Sequence, residues 1–401
     1  WPVQRLRYIR QNSLAYLVYP GAVHSRFEHS LGVMELAGRV FDIITDPENC
    51  HAEYSSILPD KDSLSYWRKV LRMAALCHDI GHLPFSHAAE FELLPKGETH
   101  ETLTKERIFS EPLLSLWKEM PQSPRAEDIA KLAVGKKCMD VDFTPWEYIL
   151  SEVITGDVFG VDRMDYLLRD SHYAGLSYGK FDHYRLIDSL RILPSLGSSS
   201  SYTLGMQEGG LRSAEDLLLS RYFMFKQVYH HSVCRIYSLH LADFLSTWLD
   251  RLDKGSRYLI ESTDNEIFTE MIRSAKDASH WGHHYADCIV HRNHYRLIYE
   301  SSPQKDINID MKILKNQLSE AFGEENVKYD REKKSAALKE FPVQTQSNDI
   351  GSSNKLSSLL TALPSIDLEY LFIHPKHLEK AEEIFKKNTL KTSPNKVIVH
   401  N

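Results

Sequence analysis

The stretch AALCHDIGHLPFSH, residues 74–87, sets an apolar helical run against a His-Asp pair and two further histidines. Polar side chains this dense at the end of an apolar segment are expensive to bury unless each finds a partner or a cation. His78 and Asp79 are adjacent, so on a helix they point roughly 100° apart and converge only on a group at the helix edge. Neutral imidazole and carboxylate are the usual ligands of Zn²⁺, Mn²⁺ and Fe²⁺. Two ligands do not make a site. His29, closing SRFEH at 25–29, stands on the preceding helical segment, and Asp162, in GVDRMDY at 160–166, on a later one. Together they offer two nitrogens and two oxygens from three helices, with positions left for water and substrate. Each has an ordinary reading by itself: a histidine near a helix start is a cap, Asp162 after Gly160 is a cap, and a His-Asp dipeptide arises by chance. The combination on successive helices, with His82, His87 and His100 nearby, favours a metal centre.

Around this stretch the first 300 residues read as mostly helical. His29, Val33, Leu36 and Val40 form one stripe, and Trp67, Val70, Leu71, Ala74 and Cys77 another. PWEYILSEVI opens on Pro145 at a helix N-terminus. Val161, Met164, Leu167 and Leu168 repeat the period. Residues 213–249 read as one long helix opened by Ser213. LRILPSLGSSSSYTLGMQEGG, residues 190–210, reads as a hairpin about a Gly/Ser turn. Beyond residue 305 the character changes. KEFPVQT, YLFIH and VIVH read as short strands, PKHLEKAEEIFKKN as a helix, and the polar span QSNDIGSSNKLSS, residues 346–358, as a loop. The expected fold is therefore mostly α, a helical core over 1–300 with a small β-hairpin, followed by a small α+β subdomain over 301–401.

Bulk numbers exclude some functions. The chain has 401 residues, 42% hydrophobic and 26% charged, with net charge −7. Such a chain has no overall field for capturing nucleic acid or an anionic membrane. No 18-residue apolar run marks a membrane span. Five scattered cysteines without a CxxC read as free thiols in a reducing compartment. No signal peptide is visible. WPVQRLRYIRQ reads as the inside of an element, so the sequence is expected to continue upstream of Trp1.

The motifs QRLRYIRQ, YPGAVHSRFEHSLGV, LCHDIGHLPFSH, THE at 99–101 and GVDRMDYLLRDSHYAG resemble those of the HD-domain metal-dependent phosphohydrolases. The branch they resemble is that of the deoxynucleoside triphosphate (dNTP) triphosphohydrolases, over about residues 4 to 245. The resemblance implies an HD helical core in which His29, His78, Asp79 and Asp162 bind one divalent ion per site. That ion is Fe, Mn or Zn, with Mg or Ni accepted in vitro. It implies water attack at the α-phosphorus of a dNTP, releasing deoxynucleoside and intact triphosphate. A metal suits this reaction because it lowers the pKa of water and polarises a phosphoryl oxygen.

Arg26, three residues before His29 on the same helical face, is placed to neutralise phosphate. His82, His87 and His100 are implied to line the triphosphate, and one of the three to supply the proton for the departing 5′-oxygen. Glu101 is expected to orient His82 or His100. Arg163, Tyr166 and Asp170 fall at i, i+3 and i+7 beside Asp162; the resemblance makes them phosphate and sugar contacts, with Asp170 accepting the 3′-hydroxyl. Gln11 and Asn12 are expected near sugar and base, and Arg221 and Tyr229 match substrate contacts. Phe225 stands where His is common, His230 where Gln is common, and Asn12 where a relative has Leu, which bears on base and ribose selection.

Relatives assemble into tetramers with nucleotide-filled regulatory sites, so a dimer or tetramer with a GTP or dNTP activator is expected. Gln4 and Arg7 match residues that read a guanine there, while LGMQEGG carries none of the basic residues relatives use for activator phosphates. The expected partners are a dNTP substrate, such an activator and further copies of the chain; nucleic acid and membrane are not expected. The expected compartment is cytoplasmic, or nuclear in a eukaryote. Two other readings remain: another HD phosphohydrolase acting on nucleoside monophosphates or nucleic-acid ends, and a nucleotide-binding regulatory protein with weak activity.

Overall fold

The computed structural model describes residues 1–49, 57–86, 90, 94–95, 97–197, 201–252, 256–301, 310–334 and 339–392. The helices used below are, in chain order, α1 (Arg26–Ile44), α2 (Lys61–Cys77), α3 (His100–Ile108), α4 (Ala126–Val134), α5 (Pro145–Thr155), α6 (Val161–Tyr173), α7 (Leu211–Met224), α8 (Ser232–Leu252), α9 (Met311–Phe322) and α10 (Leu378–Thr392). The strands are β1 (Leu190–Pro194), β2 (Tyr202–Gln207), β3 (Arg296–Glu300), β4 (Val327–Lys334), β5 (Pro342–Gln344), β6 (Ile350–Ser352) and β7 (Ile366–Ile373). The fold is mostly helical, as the sequence leads one to expect. Two compact units are built from interleaved segments: residues 1–224, 254–267 and 337–363 form the first, and 225–253, 268–336 and 364–401 the second. No described helix is long and apolar enough to cross a membrane.

Local chemistry sets the helix starts of the first unit. α1 opens on a capping box in which Ser25 N–H donates to Glu28 Oε2 at 2.9 Å. Asp60 caps α2 by accepting the Ser63 N–H at 2.9 Å. Thr144 and Glu147 box the start of α5, with Pro145 at its first position. α1 buries Val33, Leu36, Ala37, Val40, Phe41 and Ile44. It packs on α2 and α6, while α2 and α5 pack on α4. Each large aliphatic residue so buried contributes roughly 1.5–3 kcal/mol.

α2 ends at Cys77, which puts His78 and Asp79 in the turn that follows. Gly81 decides where that turn goes. A Cβ there would stand 2.3 Å from both the His100 carbonyl oxygen and the Thr104 nitrogen. Gly81 N–H donates to Thr104 Oγ1 at 3.0 Å, and Thr104 Oγ1 donates to the His78 carbonyl at 3.0 Å. The first turn of α3 therefore lies directly on the turn after Asp79, an approach only a residue without a side chain permits.

The expected hairpin is present: β1 and β2 pair antiparallel, from Leu190 opposite Met206 to Pro194 opposite Tyr202. β5 joins β2 in parallel and β6 closes the edge, giving the order β1-β2-β5-β6. The polar span 346–358 is thus not all loop. It contains β6 and the helical turn Ser353–Leu356, and a further helical turn, Ser358–Ala362, begins at its last residue. The reversal at Thr345–Asp349, with Asn348 at φ +66°, returns the chain alongside β5. So short an edge strand draws its stability from the strand beside it and leaves little periodic trace.

Residues 213–249 are likewise not one helix. α7 ends at Met224 and a π-helical turn spans Phe225–Tyr229. The His230 N–H reaches back five residues to Phe225 O at 2.9 Å. His231 then restarts the chain, its Nδ1 accepting the Val233 N–H at 3.2 Å at the head of α8. Apolar periodicity runs straight through such a break because a π turn shifts the phase by only one residue.

In the second unit β3, β7 and β4 form an antiparallel sheet in that order. Tyr299, Met311, Leu314, Leu318, Val327, Leu371, Ile373 and Ala381 make its core, with Leu378, Ile384 and Phe385 of α10 packed against it. The expected strand YLFIH lies within β7 up to its last residue, KEFPVQT contains β5, and PKHLEKAEEIFKKN contains most of α10. VIVH lies outside the described residues.

Candidate metal centre

His29 stands one turn into α1 and is fully buried. Its Nδ1 is 2.8 Å from Asp165 Oδ2, and Asp165 is itself gripped by Arg169 at 2.8 and 2.9 Å. His78 Nδ1 is 2.7 Å from the Ala75 carbonyl. Each ring thus commits its Nδ1–H to an acceptor and turns Nε2 inward, the arrangement found behind metal-ligating histidines. Neither Nε2 has a hydrogen-bond partner although both are buried. Around them stand carboxylate oxygens. Asp162 Oδ1 is 3.0 Å from His29 Nε2 and 3.5 Å from His78 Nε2. Asp79 Oδ1 is 3.3 Å from His78 Nε2, and its Oδ2 is 3.6 Å from His29 Nε2. His29, His78 and Asp79 offer ligand atoms within 4.8 Å of one another. Two buried imidazole nitrogens without donors and two facing carboxylates fit a divalent cation.

Electrostatics agree. Burial opposes charge on His29, but the neighbouring carboxylates of Asp162 and Asp165 overcome it and push the imidazole up to about 10. Burial also opposes ionisation of Asp79 and Asp162. Arg26 and then His78 hold the Asp79 carboxyl well below its usual range, and His29 and then His78 do the same for Asp162. The cluster is anionic in its carboxylates and needs positive charge, which a bound cation supplies.

Next to it Arg26, 2% exposed, contacts Asp79 Oδ2 and donates to Ser86 Oγ at 2.7 Å. Ser86 sits in a strained turn: Phe85 and Ser86 have φ of +57° and +58°. Such backbone persists when the surroundings hold it. Here Asp264 Oδ1 accepts the Phe85 N–H at 2.7 Å and Oδ2 the Arg10 N–H at 2.9 Å.

Burial pushes the Asp264 carboxyl up to about 6, against the two N–H donors and the charges of Arg10 and Arg5. From its ordinary value of 3.8 to about 6 the folded state keeps a proton that the unfolded state releases. Stability is therefore lost as pH rises through that window, and below it the two states match. Chemical denaturation of the wild type and of Asp264→Asn at several pH values is expected to show the wild type weakening relative to the variant across the window. Parallel profiles would refute this.

His82 and His100 stack with ring centroids 3.9 Å apart and planes 14° apart. His82 Nε2 is 3.3 Å from Asp79 Oδ1. Burial, then Arg26 and His100, hold His82 well below its ordinary value. Burial also opposes charge on His100, but Glu90 overcomes it and raises that ring. Glu90 Oε1 lies 2.6 Å from His100 Nδ1 and accepts the His100 N–H at 2.5 Å, whereas Glu101 Oε1 is 3.4 Å from Nε2. The two rings are thus pushed in opposite directions, His82 toward its neutral form and His100 toward its charged form.

On α6, the Tyr166 hydroxyl interacts electrostatically with both Arg163 and Arg221. Arg163 also donates to the carbonyl of Asp157. Asp170, 1% exposed, pairs with His24. Gln11 Oε1 and Asn12 Nδ2 are buried without hydrogen-bond partners. Arg7 donates to Gln4 Oε1 at 2.7 Å and lies over the Phe27 ring at 3.5 Å. Tyr229 and His230 belong to the second unit, where Tyr229 packs on Phe225 at 5.1 Å and the His230 carbonyl accepts from Tyr370 OH at 2.5 Å. His87 lies outside the described residues. Sequence reasoning missed Asp165, Glu90, Ser86, Asp264 and His24. Only Asp165 left a signal, three residues after Asp162 on the same helix.

Residues 26–169 match the HD domain and residues 181–365 the HD-associated region. The chain belongs to the HD-domain family, with the HD-associated region following the HD domain. It is similar to a crystal structure of a hypothetical protein from Aquifex aeolicus, with TM-score 0.75 and 31% identity over 96% of this chain and 93% of that one. An uncharacterized protein of Methanocaldococcus jannaschii is 35% identical over 233 residues, 58% of this chain and 41% of that protein. The deoxynucleoside triphosphate triphosphohydrolase SAMHD1 of Homo sapiens is 28% identical over 346 residues, 76% of this chain and 52% of that protein. The chain spans about half the length of the curated relatives it matches.

Proposed function

We propose that this chain hydrolyses deoxynucleoside triphosphates to deoxynucleoside and inorganic triphosphate. The observation that carries the reading is the pair of buried Nε2 atoms, on His29 and His78, that have no hydrogen-bond partner and face Asp79 and Asp162. These four residues would hold one divalent ion, Fe, Mn or Zn. When bound, such an ion supplies Lewis acidity to a phosphoryl oxygen and lowers the pKa of a water. Arg26, already against Asp79, balances charge at the reacting phosphate. His82 and His100 face the polyphosphate, with Glu90 and Glu101 about His100; the His100 ring, which Glu90 pushes toward its charged form, steadies the departing oxygen. Arg163 and Arg221, both interacting with Tyr166, provide two further cations, more than a monophosphate needs. Gln11, Asn12 and Asp170 receive the sugar. The similarity to SAMHD1 supports the substrate class.

By the same similarity the chain works as a dimer or tetramer, with Gln4 and Arg7 in a site for an activating GTP or dNTP. Free thiols at Cys77, Cys138, Cys234 and Cys288 suit the cytoplasm. Incubating the purified chain with Mn²⁺ and each of the four dNTPs, with and without GTP, is expected to yield deoxynucleoside and tripolyphosphate. Pyrophosphate or orthophosphate as the primary product would refute the reading.

A further inference from the structure

His24 lies on the loop just before α1 and plays no part in the cluster described above. Its side chain is 0% exposed, and its Nε2 is 2.7 Å from Asp170 Oδ1. The ring stacks on Tyr173, centroids 4.5 Å apart and planes 21° apart. Its backbone carbonyl accepts the Gln11 N–H at 3.0 Å. With Asp170 ionised, the ring proton belongs on Nε2, and stacking keeps the ring from turning away. The other nitrogen, Nδ1, is buried with no hydrogen-bond partner, as are Gln11 Oε1 and Asn12 Nδ2. A fold spends buried polar groups without partners where something polar is to be received. Asp170 also shares a face of α6 with Asp162 and Tyr166, at i, i+4 and i+8.

We infer that His24 is a positioning residue that holds the Asp170 carboxylate where it accepts the 3′-hydroxyl of the sugar. The inference rests on the dNTP reading and deepens it. His24 touches no reacting atom; it acts by denying Asp170 the freedom to swing, so that binding the sugar does not have to order the carboxylate. A purely architectural histidine, pinning the loop to α6, would look alike in the structure but would not care whether the substrate carries a 3′-hydroxyl.

The test compares His24→Ala, His24→Gln and the wild type on the best dNTP and on its 2′,3′-dideoxy counterpart. His24→Ala is expected to lower kcat/KM for the dNTP by about tenfold, mostly through KM, the size of one hydrogen bond to a charged group. The dideoxy nucleotide is expected to lose at least fivefold less (on the order of the same lost bond). His24→Gln, whose amide still donates, is expected to recover part of the difference. Equal losses on both nucleotides, or none on either, would overturn the inference. A wild type that hydrolyses no dNTP would sink the function instead. The inference is then decided by calorimetric binding of an α,β-imido dNTP and its 3′-deoxy form, where the same His24-dependent difference is required and its absence counts against it.

Discussion

Replacing Asp162 by Ala is expected to strip the cluster of its divalent ion and to reduce dNTP hydrolysis by about a thousandfold or more. The two carboxylates of the cluster are not equivalent. Asp79 already has one oxygen against Arg26. Asp162 carries the less compensated charge, with one oxygen 3.0 Å from His29 and 3.5 Å from His78. Without it a cation would meet two imidazoles and a carboxylate half-neutralised by a guanidinium. Metal retained after dialysis is expected to fall to roughly a tenth of wild type or less. The fold is expected to survive, because the Asp162 side chain is 38% exposed and no buried donor depends on it alone. Measuring metal per chain by mass spectrometry beside tripolyphosphate release checks both halves. Wild-type metal content together with wild-type turnover in the variant would remove the basis for the proposed site.

Arg5→Met is expected to cost about 3 kcal/mol of stability or more. Arg5 is completely buried and donates to three backbone carbonyls: Nε to Ser262 at 2.9 Å, Nη1 to His82 at 2.9 Å and Nη2 to Leu259 at 3.0 Å. Burial, and then Arg107, push it down to about 9, so it remains charged at neutral pH. Methionine fills much of the volume but leaves three buried acceptors unpaired. Lysine keeps the charge yet cannot fork to all three. One of those carbonyls is that of His82, so the damage should reach the site as well as the melting temperature. Denaturant unfolding is the measurement; a loss under about 1 kcal/mol would mean that the carbonyls find other partners.

The legible part of this molecule was local. Helices α1, α2, α5 and α6 follow apolar stripes, and the first three have their caps in the adjacent residues, Ser25 and Glu28 before all. The hairpin about residues 195–201 and helix α10 were readable in the same way. The stripe over 213–249 misled because a π turn disturbs periodicity by a single residue, and β6 escaped notice because three residues at a sheet edge hold their shape only beside β5. Of the groups that support the candidate site, Asp165 was within reach of helical spacing. Glu90 and Asp264 were not, since the residues they hold lie 10 and 179 positions away along the chain for His100 and Phe85.

Sequence alone was enough for the helical class and the family, because these depend on residue type and on spacing within single elements, and it nominated four residues for the proposed metal site. Tertiary structure decided which nitrogen of each histidine turns inward, that Glu90 rather than Glu101 makes the close contact to His100, that His24 grips Asp170, and how two units are woven from alternating stretches of one chain. Those outcomes depend on the direction and burial of side chains brought together across long separations, and no periodicity records that.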